Sequence, residues 1–166
     1  GSGMLTYLVS GTIAPDLSAI RLNTAFLRPI PAQAAIANFS DEAIVTGQEQ
    51  IFTLYEANGA NVNPAPVAHR FDLDLQPQGT LPFPNIEYRI TDATPPDAEG
   101  RFWAVNYLFP GDLDKLKPLE TNGLDPLAQQ YGAGATHSAY AVVERLVQYQ
   151  ISEDGIQRVN APPLQL

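Results

Sequence analysis

Two stretches of this chain follow one plan without a gap. Asp41-Glu-Ala-Ile-Val-Thr-Gly-Gln-Glu-Gln-Ile-Phe-Thr-Leu-Tyr55 runs beside Asp92-Ala-Thr-Pro-Pro-Asp-Ala-Glu-Gly-Arg-Phe-Trp-Ala-Val-Asn106 when Asp92 is set over Asp41, 51 positions before it. Each copy opens on Asp, passes through a tight turn and enters an aromatic-rich strand. The later half of the unit repeats too: Phe71, Leu73 and Leu75 alternate before Gly79, and Val147, Tyr149 and Ile151 alternate before Gly155. Gly155 follows Gly79 by 76 positions, so the second unit holds 25 extra residues between its second and third strands, roughly Pro110 to Tyr140. A period of about 40 to 55 residues with a short strand, a turn and a longer strand is the pattern of a β-propeller blade.

The expected fold is therefore all-β. Residues 4–166 read as a single domain: a partial blade over 4–36, a blade over 38–84, and a blade over 86–162 with an insertion at 110–140. The expected strands lie near 41–46, 50–56, 67–75 and 79–83 in the first unit and 90–96, 101–108, 143–151 and 156–160 in the second. Val, Ile, Phe, Tyr and Trp fill them, while Gly, Pro, Asn and Asp sit at the joints. In the insertion, Leu124 to Tyr131 reads as a short helix capped by Asp125 with Pro126 at its first position. In the first 36 residues, Leu5 to Val9, Ile20 to Leu22 and Phe26 to Ile30 are weak strand signals, read as the outer strands of a blade.

Two to three four-stranded blades do not close a ring, and an open propeller leaves strand edges able to pair with another chain. Either the chain belongs to a longer one, or two copies meet as a two-fold homodimer or higher oligomer that closes a ring of about six blades. A compact β-sandwich of two repeated sheets is the alternative.

Charge and composition narrow the partners. The formal net charge is −9, with only nine Lys and Arg in 166 residues. That argues against nucleic acid or an anionic membrane surface as partner, since both need clustered cations. There are no cysteines, hence no disulfide or thiolate chemistry. Gly1-Ser-Gly3 before Met4 reads as a cloning scar. The residues after Met4 lack the basic segment of a secretory leader, no apolar run approaches a membrane span, and the compartment stays open.

The openings Asp41-Glu-Ala-Ile-Val45 and Thr91-Asp-Ala-Thr-Pro-Pro-Asp-Ala-Glu-Gly-Arg-Phe-Trp103 resemble blades of the propeller superfamily that includes phytase-like esterase, gluconolactonase-like and NHL-repeat proteins. The similarity covers about 40 to 110 well. It implies blade architecture more than activity, because one blade type serves hydrolases, lactonases and binding modules alike.

Propeller geometry sorts the polar residues by face. Asp97, Glu99, Gly100, Gln78, Gly79, Asp154 and Gly155 read as turn formers. The opposite face gathers Asp41, Glu42, Arg89 and Asp92 beside Glu56, Asn58, Asn106 and the insertion. Glu42, Glu56 and Asp92 are candidate oxygen ligands for a divalent cation such as Ca²⁺, although no linear metal motif is present. Glu42, Asp92 and His137 are candidate catalytic groups. Arg89, Arg145 and Asn106 are candidates for holding a small anionic substrate, with ion pairs to Glu87 and Glu144 as the competing role for the arginines. Each carboxylate has a plainer reading as a tie to neighbouring backbone. Trp103, Phe102, Tyr107 and Phe109 read as packing between sheets. Ser138 lies outside any Gly-x-Ser-x-Gly motif.

Two functions follow. One is a divalent-metal-dependent hydrolase of a phosphoester, lactone or ester, in which carboxylates hold the ion and the ion activates water. The other is a non-catalytic propeller used for binding or assembly. A salt-bridged channel mouth favours the second.

Overall fold

The computed structural model describes residues 4–47 and 49–166; Gly1 to Gly3, read above as a cloning scar, lie outside the described residues. In chain order the strands are β1 (Thr6–Leu8), β2 (Gly11–Ile13), β3 (Ile20–Leu22), β4 (Arg28–Ile30), β5 (Asp41–Gly47), β6 (Gln50–Tyr55), β7 (Val67–Asp72), β8 (Pro77–Pro82), β9 (Arg89–Ala93) and β10 (Arg101–Leu108). The insertion follows with helices α1 (Leu113–Leu116) and α2 (Pro126–Tyr131). The chain then returns through β11 (Val143–Ser152), β12 (Gly155–Arg158) and β13 (Leu164–Gln165). None of the described helices is long and apolar enough to cross a membrane.

Two antiparallel sheets carry the repeat. One has the order β5-β6-β7-β8 and the other β9-β10-β11-β12, each a meander of sequential neighbours. The all-β expectation and the eight strand positions hold to within a few residues. The turns explain why: Asp97 Oδ1 accepts from the N–H groups of Glu99 and Arg101, and Gly100 follows at φ +77°, a left-handed conformation that glycine adopts without strain. Asp72 does the same for Asp74 and Gln76. That second turn corrects the expectation at Gln78-Gly79, which lie inside β8 rather than in the turn before it. Asp72, six residues before Gln78, supplies the hydrogen bonds of the turn, and Leu75 takes the positive φ there.

The sheets pack face to face, with β5 against β9 and β8 against β12. Ala43, Val45, Phe52, Leu54, Leu81 and Phe83 meet Ile90, Phe102, Ala104, Val147, Tyr149 and Ile156. Tyr149 stacks between Phe83 and Phe102, with ring centroids 5.0 and 5.6 Å away. Each buried Val, Leu, Ile and Phe among them contributes roughly 1.5–3 kcal/mol of transfer free energy. Period-two alternation directs Phe102 and Ala104 inward, so Trp103 and Tyr107 lie half-buried on the outer face of the second sheet and Phe109 is exposed. This corrects the placement of Trp103, Tyr107 and Phe109 in the inter-sheet core; only Phe102 of the four is there.

Residues 4–36 do not form part of either sheet. They make one long hairpin arm, in which β1 pairs β4 and β2 pairs β3 as separate two-stranded ladders. Leu8 and Ile30 at its base pack on Phe71, Leu75 and Ile51, on the side of the first sheet turned away from the second. Arg28 Nε also donates to the Leu75 carbonyl at 3.0 Å. The arm's outer strands β2 and β3 are exposed throughout. At the other end of the chain β13 pairs β11 through Leu146↔Leu164, an addition that the sequence pattern did not indicate.

Candidate functional site

Two polar clusters form where the insertion meets the strand ends. The first is built around Arg89. Glu56 follows β6 directly, and the Ala57↔Arg89 bridge together with the Ile90 N–H to Glu56 carbonyl bond lays the two strands' ends side by side. Arg89 thereby reaches three acids: Glu56 at 2.7 Å, Glu42 at 3.0 Å and Asp112 of the insertion at 3.4 Å. Lys115 pairs with Asp112 at 3.2 Å, and both cations lie over the Phe39 ring. The Ser40 N–H donates to the other Glu56 oxygen at 2.7 Å. Glu56 is fully buried, and that burial outweighs its donors and pushes its carboxyl up to about 7. Two of the three candidate metal ligands, Glu42 and Glu56, thus come together, with a guanidinium between them. Asp92 does not join them: it is exposed beside Trp103 on the outer face of the second sheet, capping its own neighbour's N–H. Among the described residues no group of three or more His, Asp or Glu has the spacing to hold a metal ion.

The second cluster is built around Arg145, whose Cα faces that of Asn106 across the β10–β11 ladder. Arg145 Nε donates to Asn106 Oδ1 at 2.7 Å, and its two terminal nitrogens form a fork on Asp125, both at 3.1 Å. All three residues have no exposed surface. Asp125 also accepts from the Leu127 N–H, so one carboxylate caps α2 and neutralises the arginine. Glu144, the partner expected for Arg145 in one reading, projects to the opposite face because it is the adjacent residue on the strand. Arg89 likewise takes Glu56, Glu42 and Asp112 rather than Glu87. The Tyr88 ring lies 5.0 Å from the Arg145 guanidinium. Tyr88 holds φ at +72°, an uncommon conformation for a bulky residue, and its hydroxyl meets His137 Nδ1 at 3.0 Å. Burial pushes the Tyr88 phenol well above its ordinary value. His137 Nε2 is 3.3 Å from Glu120, so this candidate catalytic histidine lies at the edge of the second cluster, away from Glu42 and Asp92.

Asn106 and Arg145 turn their polar groups to the protein; Asn106 Nδ2 donates to the carbonyls of Glu87 and Arg89. Sequence reasoning missed Asp112 and Tyr88 altogether and treated Asp125 as a cap alone. It took Glu87 only as an ion-pair partner for Arg89, whereas its buried Oε2 has no hydrogen-bond partner. The alternation Glu87-Tyr-Arg89-Ile90 at a strand entrance was the available signal for Tyr88 and Glu87. No protein-family model, curated protein or solved structure matches this chain.

Proposed function

We propose that this chain is a non-catalytic, propeller-like module whose task is assembly, and that the surface it binds is a second copy of itself. The carrying observation is a pair of uncovered apolar surfaces on opposite sides of the two-sheet stack. On the first-sheet side the arm exposes Ile13, Leu17, Ile20, Leu22 and Phe26. On the second-sheet side Trp103, Val105, Leu146 and Leu164 line an open groove. The chain exposes 9125 Å², about 1,100 Å² above the roughly 8,000 Å² of a compact chain of this mass. That excess is comparable to the ~800 Å² per partner of a standard interface. In a two-fold dimer the arm of each copy covers the groove of the other, and the stacked sheets act as blades of one ring. The ion-paired state of Arg89 and Arg145 supports the same reading, since both candidate substrate-binding cations are already neutralised by protein acids.

Light scattering at micromolar concentration tests it. The expected mass is about twice the 18.0 kDa of one chain, and Ile20→Asp with Leu22→Asp, at exposed positions, returns it to one. A monodisperse wild-type monomer with full β-type circular dichroism overturns the proposal in favour of the compact sandwich.

A metal-dependent hydrolase acting on a phosphoester, lactone or ester is the second reading. The observation that favours it is the buried Glu56 carboxyl, raised to about 7 beside Glu42, because strongly shifted carboxyls concentrate at functional sites. Under it, millimolar Ca²⁺ raises the melting temperature and Glu42→Gln removes the rise. An unchanged melting temperature removes the reading.

A further inference from the structure

Neither polar cluster uses the Glu87 carboxyl. Glu87 is only 4% exposed, and its Oε2 makes no hydrogen bond, although the N–H groups of Leu119 and Ala60 face the carboxyl. The close backbone of Gly59 makes room for it, since a Cβ there would stand 2.7 Å from Oε2. A buried acid without a cation is costly, and burial accordingly pushes this carboxyl above its ordinary value. Glu87 forms part of the wall of a pocket of about 160 Å³ between the Asn85 to Glu87 segment, the first turn of α2 and the end of β12. That is the space of about five water molecules.

The same pocket carries a cation with the complementary deficit. Arg158 donates to the Tyr131 hydroxyl at 3.0 Å and to Gln130 Oε1, both neutral groups, and stacks over the Tyr131 ring. Among the described residues no carboxylate lies within ion-pair distance of it. Asp125, also in the wall, is fully engaged by Arg145, Tyr88 and the α2 amide. Ile86, Leu119 and Leu127 supply the apolar lining. An acid lacking a base and a base lacking an acid therefore share one small, partly apolar cavity.

We propose that this pocket binds a small zwitterion of the amino-acid type. Its ammonium donates to Glu87, its carboxylate accepts from the Arg158 guanidinium, and a short apolar side chain lies against Leu119 and Leu127. Charge-assisted hydrogen bonds at both ends and displacement of loosely held water supply the affinity. The site does not depend on the assembly state, because the arm and the Trp103 groove contribute no residue to its lining.

Titration calorimetry with L-alanine tests it, with methylammonium and acetate as probes that each keep one end. Saturable L-alanine binding is expected, with each half-probe binding more weakly. Glu87→Gln and Arg158→Gln should each lower L-alanine affinity on the order of tenfold or more, as loss of a charged hydrogen bond does. Glu87→Gln should abolish methylammonium binding while sparing acetate, and Arg158→Gln the reverse. Gly59→Ala, which pushes the Glu87 carboxyl aside without demanding a new backbone conformation, should mimic Glu87→Gln and guards against misfolding of either variant. No heat from millimolar L-alanine, or affinity unchanged in Glu87→Gln and Gly59→Ala, overturns the proposal.

Discussion

Glu56 carries the sharpest consequence at the scale of single residues. Its carboxyl titrates near the ordinary 4.5 in the unfolded chain and is pushed to about 7 in the folded one. Between those values the folded state holds a proton that the unfolded state gives up. The stabilisation is therefore complete below about pH 4.5 and is lost as pH rises through 7. Glu87 shifts in the same direction for the same reason. The melting temperature should accordingly fall between pH 5 and pH 8, and Glu56→Gln should flatten that slope; a melting temperature that climbs over this window would refute the assignment. The acids that shift downward, Asp16 and Asp97, are exposed turn residues whose linkage acts below their ordinary value of 3.8, outside the window. Face sorting was enough to bring Glu42, Glu56 and Arg89 together from sequence. It could not say that Arg89 would stand between the carboxylates, because side-chain length and the Phe39 platform decide that, and neither has a periodic signature.

Among the elements, α2 and β11 are joined by a single ion pair. Asp125 caps the helix and holds Arg145 in the sheet, so two roles can be separated by substitution. Asp125→Asn keeps a capping side chain but leaves a buried guanidinium uncompensated, which costs about 3–5 kcal/mol. Asp125→Ala adds loss of the cap, about 1 kcal/mol more. In the double variant Arg145→Met, Asp125→Leu the cost should fall well short of the summed singles, since the uncompensated charge is gone. Urea midpoints read all three; equal costs for the double variant and the sum would mean that the pair is not coupled. The strands and α2 were foreseeable because alternation, turn residues and a Pro after Asp are local signals. The arm was not, since Leu5, Ile20 and Leu22 read the same in a hairpin as in a blade. Nor was the register of Trp103: β10 is apolar at both Phe102, Ala104 and Trp103, Val105, and a strand apolar on both faces does not declare its inner one.

That two-faced strand matters most for the whole molecule. A sheet face bearing Trp103, Val105 and Leu146 behaves as a surface awaiting cover, and the outer half of the arm, β2 and β3, is an apolar element left exposed. The contact joins two different patches, so it either closes reciprocally about a two-fold axis as an isologous dimer or propagates head to tail into open chains. Closure gives two identical arm-to-groove contacts per dimer and makes a specific demand of mixtures. A chain with Ile20→Asp and Leu22→Asp keeps a sound groove, and a chain with Trp103→Glu keeps a sound arm. Each alone should be monomeric. Mixed in equal amounts they should form a heterodimer held by one intact contact, weaker than wild type yet visible in sedimentation velocity. Arm-to-arm pairing would leave the mixture without this complementation, and open propagation would give wild-type masses that keep rising with concentration. Salt should strengthen the wild-type dimer, because each copy carries a formal charge of −9 and screening weakens the repulsion while leaving the apolar contact in place. Dissociation on adding salt would point to ion pairs as the adhesive and would displace the Trp103 groove as the docking surface.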